Sequence, residues 1–197
     1  GPFRAERGAF RIEIGNDGWS WPGFAPPGLA GRLIDEGVWG QDLYSQVREQ
    51  SIRAVRMAAL VEQLADPESR VTLSDQVDAI GIPRPRVNYV ISDYTLRGIA
   101  AAKEQLGRIF EALGVQWTTH VEQIQGAGHI MGTVRMGADS ATSVTDSYGR
   151  TWDHPNLWLA GSGLFPAVGT GNPTLTIAAL ALRAAPEIEG DLAASAS

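Results

Sequence analysis

Alternating apolar and polar residues near the start of the chain predict a β-strand. Residues 9–14, AFRIEI, alternate in this way and run into the turn sequence GNDG. Residues 51–64 fit a helix or a strand, and a short strand-like run follows at 70–73, so we predict a hairpin across 54–73. In residues 80–91, prolines at alternate positions favour an extended path at the edge of a sheet.

Helical periodicity follows these strands. Ser92 is a good N-cap, residues 93–113 carry apolar side chains at helical spacing, and Gly114 is a good residue to end the helix. The predicted core face consists of Leu96, Ile99, Ala100, Leu106, Ile109, Phe110 and Leu113.

A second helix is predicted near the end of the chain. Asn172 can cap it, Pro173 suits its first position, and Pro186 is expected to stop it. Its side chains are apolar on almost every face, which predicts burial all round. The apolar run at 156–161, the glycines after it and this helix are together typical of the last unit of a parallel α/β sheet.

The segment at 18–31 is unusually apolar for a loop. It carries two tryptophans, a phenylalanine, three prolines and four glycines, a composition too irregular for a helix interior. We therefore expect it to pack against another part of the protein. Trp19, Trp21 and Trp39 either stack on the face of a sugar or pack in the core or a lid.

Composition narrows the range of functions. A formal net charge of −6 and a pI near 5.0 give no basic surface for nucleic acid or anionic lipid. The absence of cysteine excludes a disulfide, a thiolate metal site, a cysteine-ligated iron–sulfur cluster and a thiol nucleophile. We predict no metal site. With 44% hydrophobic residues, the chain can bury a core in one or two domains.

The ends and apolar runs of the chain bear on its location. No apolar run approaches the roughly 20 residues of a membrane span, and the first residues lack the apolar core of a signal peptide. These features favour a cytoplasmic location. The chain does not begin with methionine, which suggests a piece of a longer or processed polypeptide.

Two glycine-rich segments carry the candidate chemistry. The sequence GAGHIMGTVRMG, at 126–137, surrounds His129 with small residues, and a histidine there is either structural or a base with room beside it for a ligand. The segment at 160–176 ends at a helix N-terminus, where N–H groups and partial positive charge suit an electron-rich ligand. Alternatively, its glycines serve only to turn the chain.

Four motifs follow one another in a characteristic order. They are a histidine before GTVRMG, an aspartate and GR on a turn, then NLWLAGS, then NPTLT at the start of a helix. This ordered set, over residues 126–185, closely resembles the C-terminal signature of the GMC flavoprotein oxidoreductases, named for glucose, methanol and choline substrates. An asparagine followed by PT is most similar to the sugar-oxidising members, such as pyranose oxidases and bacterial sugar dehydrogenases.

The resemblance implies a cofactor and a catalytic pair. FAD is the implied cofactor, and His129 and Asn172 match the family's two catalytic positions. Asn172 is then both a helix cap and a site residue. The residues that the resemblance places at the FAD are Gly161, Ser162, Gly163, Gly171, Asn172, Pro173 and Thr174.

The resemblance also implies an α+β/α/β architecture. Residues 1–143 are expected to form an antiparallel-sheet substrate (cap) domain portion with helices, and residues 144–190 the terminal strand and helix of a Rossmann-like FAD-binding domain. Residues 191–197 are a predicted flexible tail. The main Rossmann part, with its G-x-G-x-x-G unit, is missing from this chain. We therefore predict a second polypeptide that supplies it, either a separate subunit or a cleaved N-terminal part.

The implied reaction is FAD-dependent oxidation of a primary or secondary alcohol, as in a sugar or glycoside. His129 would accept the hydroxyl proton, Asn172 would hold the same hydroxyl, and a hydride would pass to flavin N5. Two alternatives remain open: an FAD-dependent enzyme like the hydroxynitrile lyases, and a non-catalytic carbohydrate-binding subunit on the same scaffold. If the chain is such a non-catalytic subunit, replacement of His129 by alanine should leave the activity of the complex unchanged.

The remaining histidines and two arginines are expected to have structural roles. His120 and His154 lie in polar or turn sequences, which favours surface positions. Arg135 and Arg150 are expected to pair with nearby aspartates. The candidate partners are Asp139, Asp146 and Asp153.

Overall fold

The computed structural model describes residues 2–15, 26–116, 118, 124–126 and 128–195. Within these ranges the chain forms two small antiparallel sheets and four α-helices. In chain order the elements are β1 (Phe10–Gly15), α1 (Pro26–Asp35), α2 (Gly40–Ser51), β2 (Arg56–Val61), β3 (Arg70–Val77), β4 (Pro83–Asn88), α3 (Asp93–Leu113) and α4 (Thr174–Ser195). Short 3-10 helices lie at Pro2–Ala5 and Ser162–Leu164.

Strands β1 and β2 form the sheet against which α3 packs. They run antiparallel, from the pair Phe10 and Val61 to the pair Gly15 and Arg56. A β-carbon added to Gly98 on α3 would lie 2.8 Å from Val61 Cγ1, so only a glycine allows the helix to come this close to the sheet.

The predicted hairpin across 54–73 is wrong. β2 pairs with β1, whereas β3 pairs with β4, from Arg70 opposite Asn88 to Val77 opposite Pro83. The turn between β2 and β3 therefore connects two different sheets. The extended conformation predicted for 80–91 is confirmed over β4, where a two-stranded sheet leaves each strand an unpaired edge that tolerates proline.

The helix predicted from Ser92 to Gly114 is confirmed. The Ser92 side chain accepts a hydrogen bond from the Thr95 N–H, and Gly114 ends the helix at a φ of 63°. The predicted core face is only partly correct, because Leu96, Ala100 and Leu113 are exposed. The residues that α3 buries most deeply are small, namely Thr95, Gly98 and Ala102. Close approach to the sheet therefore selects a face that differs from the most apolar one.

The composition of residues 18–31 predicts a non-helical segment, and this prediction is wrong for residues 26–31, which are helical. Helix α1 begins at Pro26, where two successive prolines lie in the first turn and no intrahelical N–H is required of them. Leu29 and Leu33 form its buried face. Trp39 is exposed, while Trp19 and Trp21 lie outside the described residues.

Two predictions for the last helix are also wrong. α4 does not stop at Pro186 but continues to Ser195, so it includes the first part of the predicted tail. An internal proline removes one backbone hydrogen bond, which can be tolerated without ending the helix. The helix is not buried all round: Ala184 is its buried residue, whereas Leu175 and Leu182 are 84% and 75% exposed. Nothing among the described residues covers these leucines.

The apolar run at 156–161 does not form the predicted strand. Trp158 makes only an isolated antiparallel bridge with Arg150. A parallel strand needs a parallel neighbour, and the described part of the chain offers none. In the same ranges, no helix combines the length and apolarity that crossing a bilayer requires.

Candidate active site

His129 and Asn172 line the same cavity, which has a volume of about 280 Å³. His129 comes from the segment before the GTVRMG motif, and Asn172 comes from the residues that lead into α4. The full lining consists of Gly128, His129, Ile130, Met131, Ser162, Asn172, Pro173, Thr174 and Ile177. The structure therefore brings together the two side chains that the resemblance singles out.

Backbone hydrogen bonds hold the His129 segment against the 3-10 helix at Ser162–Leu164. The N–H groups of Gly132, Val134 and Met136 donate in turn to the carbonyl oxygens of residues 162, 163 and 164, at 3.2, 3.0 and 2.9 Å. The Ser162 hydroxyl adds a bond of 2.7 Å to the Ile130 carbonyl oxygen. Alternate residues of one segment thus bind successive residues of the other, which fixes the wall of the cavity between them.

Two glycines make this approach possible. A β-carbon on Gly163 would lie 2.9 Å from both Thr133 Oγ1 and Val134 Cγ2. Gly132 has a φ of 73° and faces the Phe165 carbonyl oxygen, so a side chain there would be strained as well as crowded. Gly132 and Gly163 are therefore required by the packing of these two segments, whatever the cavity binds.

The aspartate turn after this segment is built around Asp146. Its Oδ1 accepts hydrogen bonds from the N–H groups of Tyr148 and Arg150, at 2.8 and 3.1 Å. Gly149 completes the turn at a φ of 92°. The Arg150 guanidinium leaves the turn, forms an ion pair with Asp191 on α4 and lies 5.2 Å from the Trp158 ring centre. It therefore ties the turn to α4 and does not pair with the aspartates predicted for it.

Asn172 has a charged partner that sequence reasoning missed. The Arg11 Nη2 group, on β1, donates to Asn172 Oδ1 at 3.1 Å. Arg11 also forms an ion pair with Glu13, two residues along the same strand. The only sequence signal is that the alternation in β1 puts Arg11 and Glu13 on one face. It gives no indication that this face meets Asn172.

The other predicted residues divide into those at the cavity and those away from it. Ser162, Pro173 and Thr174 line the cavity with Asn172, whereas Gly161, Gly163 and Gly171 are not among its lining residues. The Arg135 side chain donates to the Thr142 carbonyl oxygen, and His154 is exposed. His120 lies outside the described residues. Within the ranges that the structure describes, no cluster of three or more histidine or acidic side chains could hold a metal ion.

A second cavity, of about 450 Å³, lies beside a buried carboxylate. Glu62 is 7% exposed and accepts hydrogen bonds from the Ala9 N–H, the Tyr94 hydroxyl and Arg4, at 3.1, 3.2 and 3.2 Å. Burial opposes ionisation of this carboxyl, but the hydrogen bonds and the Arg4 charge outweigh it and lower its pKa below the ordinary value. The remaining lining is Phe3, Arg7, Gly8, Phe10, Gly169 and Thr170.

Comparison with known proteins places the chain in a family. The family model for GMC oxidoreductases matches residues 65–181. The chain therefore belongs to the GMC oxidoreductase family, which confirms the resemblance inferred from the ordered motifs. The antiparallel sheets and helices are consistent with the C-terminal substrate domain of that family.

Three curated relatives show how much of a family member the chain represents. It is 37% identical to the fructose dehydrogenase large subunit of Gluconobacter japonicus over 98% of the chain and 34% of that protein. It is 33% identical to paromamine 6'-oxidase of Streptomyces fradiae, over 85% of the chain and 30% of the relative. It is 37% identical to a C-glycoside 3-oxidase of Microbacterium trichothecenolyticum, over 64% of the chain and 25% of the relative. The matched region spans between 25% and 34% of the length of these relatives.

Proposed function

We propose that this chain is the C-terminal part of an FAD-dependent enzyme that oxidises a hydroxyl group of a sugar or glycoside. The observation that carries the proposal is the shared cavity of about 280 Å³, in which an imidazole and an uncharged amide, those of His129 and Asn172, are brought together. The names of the relatives, which describe oxidation or dehydrogenation of fructose, paromamine and C-glycosides, support the substrate class.

His129 is the proton acceptor in this proposal. Oxidation of an alcohol requires the hydroxyl to lose its proton while the carbon that bears it loses a hydride. A neutral imidazole accepts a proton near pH 7. FAD, when bound, supplies the hydride acceptor.

Asn172 is the hydrogen-bonding partner of the same hydroxyl. An amide keeps zero charge through every step, so it holds the substrate oxygen without competing for the proton. The small residue at Gly128, beside His129, leaves room for a sugar ring to approach the pair.

The residues at the start of α4 fit the cofactor. Pro173 and Thr174 line the cavity, and the helix that begins there directs its first N–H groups and the positive end of its dipole toward it. Negative charge collects on the pyrimidine edge of a reduced flavin, so such a helix end stabilises the reduced form. We propose that Gly161, Ser162, Gly163, Gly171, Asn172, Pro173 and Thr174 lie along the flavin.

A further part of the enzyme, with the Rossmann fold, is needed to bind the rest of FAD. The exposed leucines of α4, Leu175, Leu182 and Leu192, support this requirement, because an apolar helix face of this kind is stable when another surface covers it. The length of the relatives supports it too. The missing part is either a separate subunit or the rest of a longer polypeptide.

The test uses the assembled protein, in which the FAD-binding part accompanies this chain. We expect an oxidised-flavin spectrum that is bleached under anaerobic conditions by a panel of sugars and glycosides. The change His129→Gln should abolish bleaching, whereas His154→Gln, at an exposed histidine away from the cavity, should leave it unchanged.

Two outcomes would overturn this function in favour of the alternatives. Cleavage of hydroxynitriles without any bleaching by alcohols would indicate a lyase. Activity that is unaffected by His129→Gln would indicate that the chain is a non-catalytic carbohydrate-binding subunit.

A further inference from the structure

We infer that Arg11 is a positioning residue that fixes the orientation of the Asn172 amide, so that Asn172 acts as a hydrogen-bond donor in the cavity. The inference rests on the proposed function and adds to it the direction of one hydrogen bond. It assigns a role to a residue that lies outside the cavity lining and on a different element, β1.

The contact that carries the inference joins two parts of the chain that are far apart in sequence. Arg11 Nη2 lies 3.1 Å from Asn172 Oδ1. The same Nη2 group also forms an ion pair with the carboxylate of Glu13. Both side chains of this ion pair are partly shielded from solvent, with 35% and 41% of their side-chain surface exposed. Pairing of β1 with β2 fixes the backbone beneath them, with Arg11 opposite Leu60 and Glu13 opposite Ala58.

A guanidinium selects one orientation of an amide. All its nitrogen atoms are donors and none is an acceptor, so it pairs with the oxygen of an asparagine side chain and repels the NH₂ group. With Oδ1 of Asn172 engaged by Arg11, the Nδ2 group is the part of the amide that remains for the cavity. Rotation of the Asn172 amide by half a turn would place its NH₂ group against the N–H groups of Arg11, and two donors would then face each other.

This orientation matches what oxidation of an alcohol requires. A hydroxyl group that donates its proton to His129 has lone pairs left to accept a hydrogen bond from Asn172 Nδ2. As the proton leaves, negative charge grows on the oxygen, and a bond from an N–H donor strengthens. The opposite orientation would place the amide oxygen against that charge. Arg11 therefore acts on the reaction through Asn172 and has no contact with the substrate.

A double-mutant cycle in the assembled, flavin-loaded enzyme tests the inference. We expect Asn172→Ala to slow anaerobic flavin reduction by about 100-fold, as loss of a single donor to a developing oxyanion does. We expect Arg11→Met to slow it by about tenfold, mainly through kcat, and Arg11→Lys to recover part of the rate. In the Asn172→Ala background, Arg11→Met should have no further effect, because there is no amide left to orient. The control is Arg53→Met, which removes an exposed ion pair with Glu49 and should leave the rate unchanged.

The change Asn172→Asp separates a donor from an acceptor and provides a second readout. An ionised aspartate keeps the contact with Arg11 but offers only acceptors, so the rate should fall as far as in Asn172→Ala. The melting temperature should not fall, since a neutral contact becomes an ion pair. The double variant Arg11→Met/Asn172→Asp should have a lower melting temperature than Arg11→Met alone, because the new carboxylate has no cation beside it.

The outcomes distinguish this inference from the proposed function. An unchanged rate in Asn172→Ala would overturn the role of Asn172 itself. If Asn172→Ala is slow and Arg11→Met still lowers its rate by the same factor as in the natural enzyme, only the positioning role of Arg11 is overturned. Retention of the rate in Asn172→Asp would also overturn it, because Asn172 would then act as an acceptor. If Arg11→Met does not accumulate, Arg11→Lys and Arg11→Gln serve in the same cycle.

Discussion

Ser162 and Ile130 are joined by a hydrogen bond of 2.7 Å from the serine hydroxyl to the isoleucine carbonyl oxygen. Ile130 directly follows His129, and Ser162 itself lines the cavity that holds His129 and Asn172. The bond therefore adds a side-chain link, next to the residue that our proposal makes catalytic, to the backbone bonds that join the two segments.

Removal of this hydroxyl should weaken the site more than a similar change elsewhere. Ser162→Ala should destabilise the protein by about 1 kcal/mol and slow flavin reduction, because Ile130 loses a partner and His129 a fixed position. The matched control is Ser195→Ala, where a hydroxyl donates to the Asp191 carbonyl oxygen at 2.8 Å near the end of α4. Thermal unfolding and stopped-flow measurement of flavin reduction check both effects. Equal rates in the two variants would contradict the proposed role of the bond.

Gly163 should tolerate no side chain. Gly163→Ala would force a β-carbon to within 2.9 Å of Thr133 and Val134, so we expect a loss of about 1–3 kcal/mol in the free energy of unfolding. A β-carbon added to Gly107, on α3, would meet nothing within 4 Å apart from the neighbouring backbone of its own helix, and Gly107→Ala should be neutral or should stabilise by about 0.5–1 kcal/mol. Denaturant unfolding curves measure the difference. Similar stability of the two variants would show that the contact between the two segments is not tight.

The buried carboxylate of Glu62 predicts a pH-dependent stability. Its pKa is lowered in the folded protein, so its ionised form stabilises the fold at neutral pH, and this contribution is lost as the pH falls through the folded pKa. Glu62→Gln should therefore cost about 1–3 kcal/mol near pH 7, and the difference from the natural protein should shrink in acid. Glu49→Gln, in an exposed pair with Arg53, should change little at any pH. A difference for Glu62→Gln that is independent of pH would contradict the prediction.

Features that depend on neighbouring residues could be predicted from the sequence. The limits of α3 were correct because Ser92 and Gly114 satisfy its ends through bonds to residues within the same turns. Strand pairing could not be predicted. β2 pairs with β1, which is separated from it in the sequence by α1 and α2, and nothing in the sequence of β2 indicates that partner. The predicted end of α4 at Pro186 was wrong because a proline weakens a helix without always ending it.

The candidate site shows the same division. The pair of His129 and Asn172 came from an ordered set of motifs, and the structure places both on one cavity. Arg11 could not be found in this way. Its contact with Asn172 depends on how β1 lies against the segment before α4, which is a property of the tertiary structure alone.

The exposed leucines of α4 lead to a prediction about assembly. If α4 is covered by the FAD-binding part of the enzyme, a charge at Leu182 would be buried without a partner, and binding of that part would be weakened. Leu182→Glu should therefore lower the amount of FAD that is retained on purification. Because Leu182 is 75% exposed, the variant chain should fold as well as the natural chain does.

The control for this variant is a leucine of nearly equal exposure on a different element. Leu73, on β3, is 74% exposed, so Leu73→Glu makes the same chemical change on a strand. Flavin content per protein, from the absorbance spectrum, and association measured by analytical ultracentrifugation compare the two. Loss of FAD in Leu182→Glu but not in Leu73→Glu would locate the covered surface on α4. The reverse result would move that surface to the β3–β4 sheet, because only a covered side chain is sensitive to an added charge.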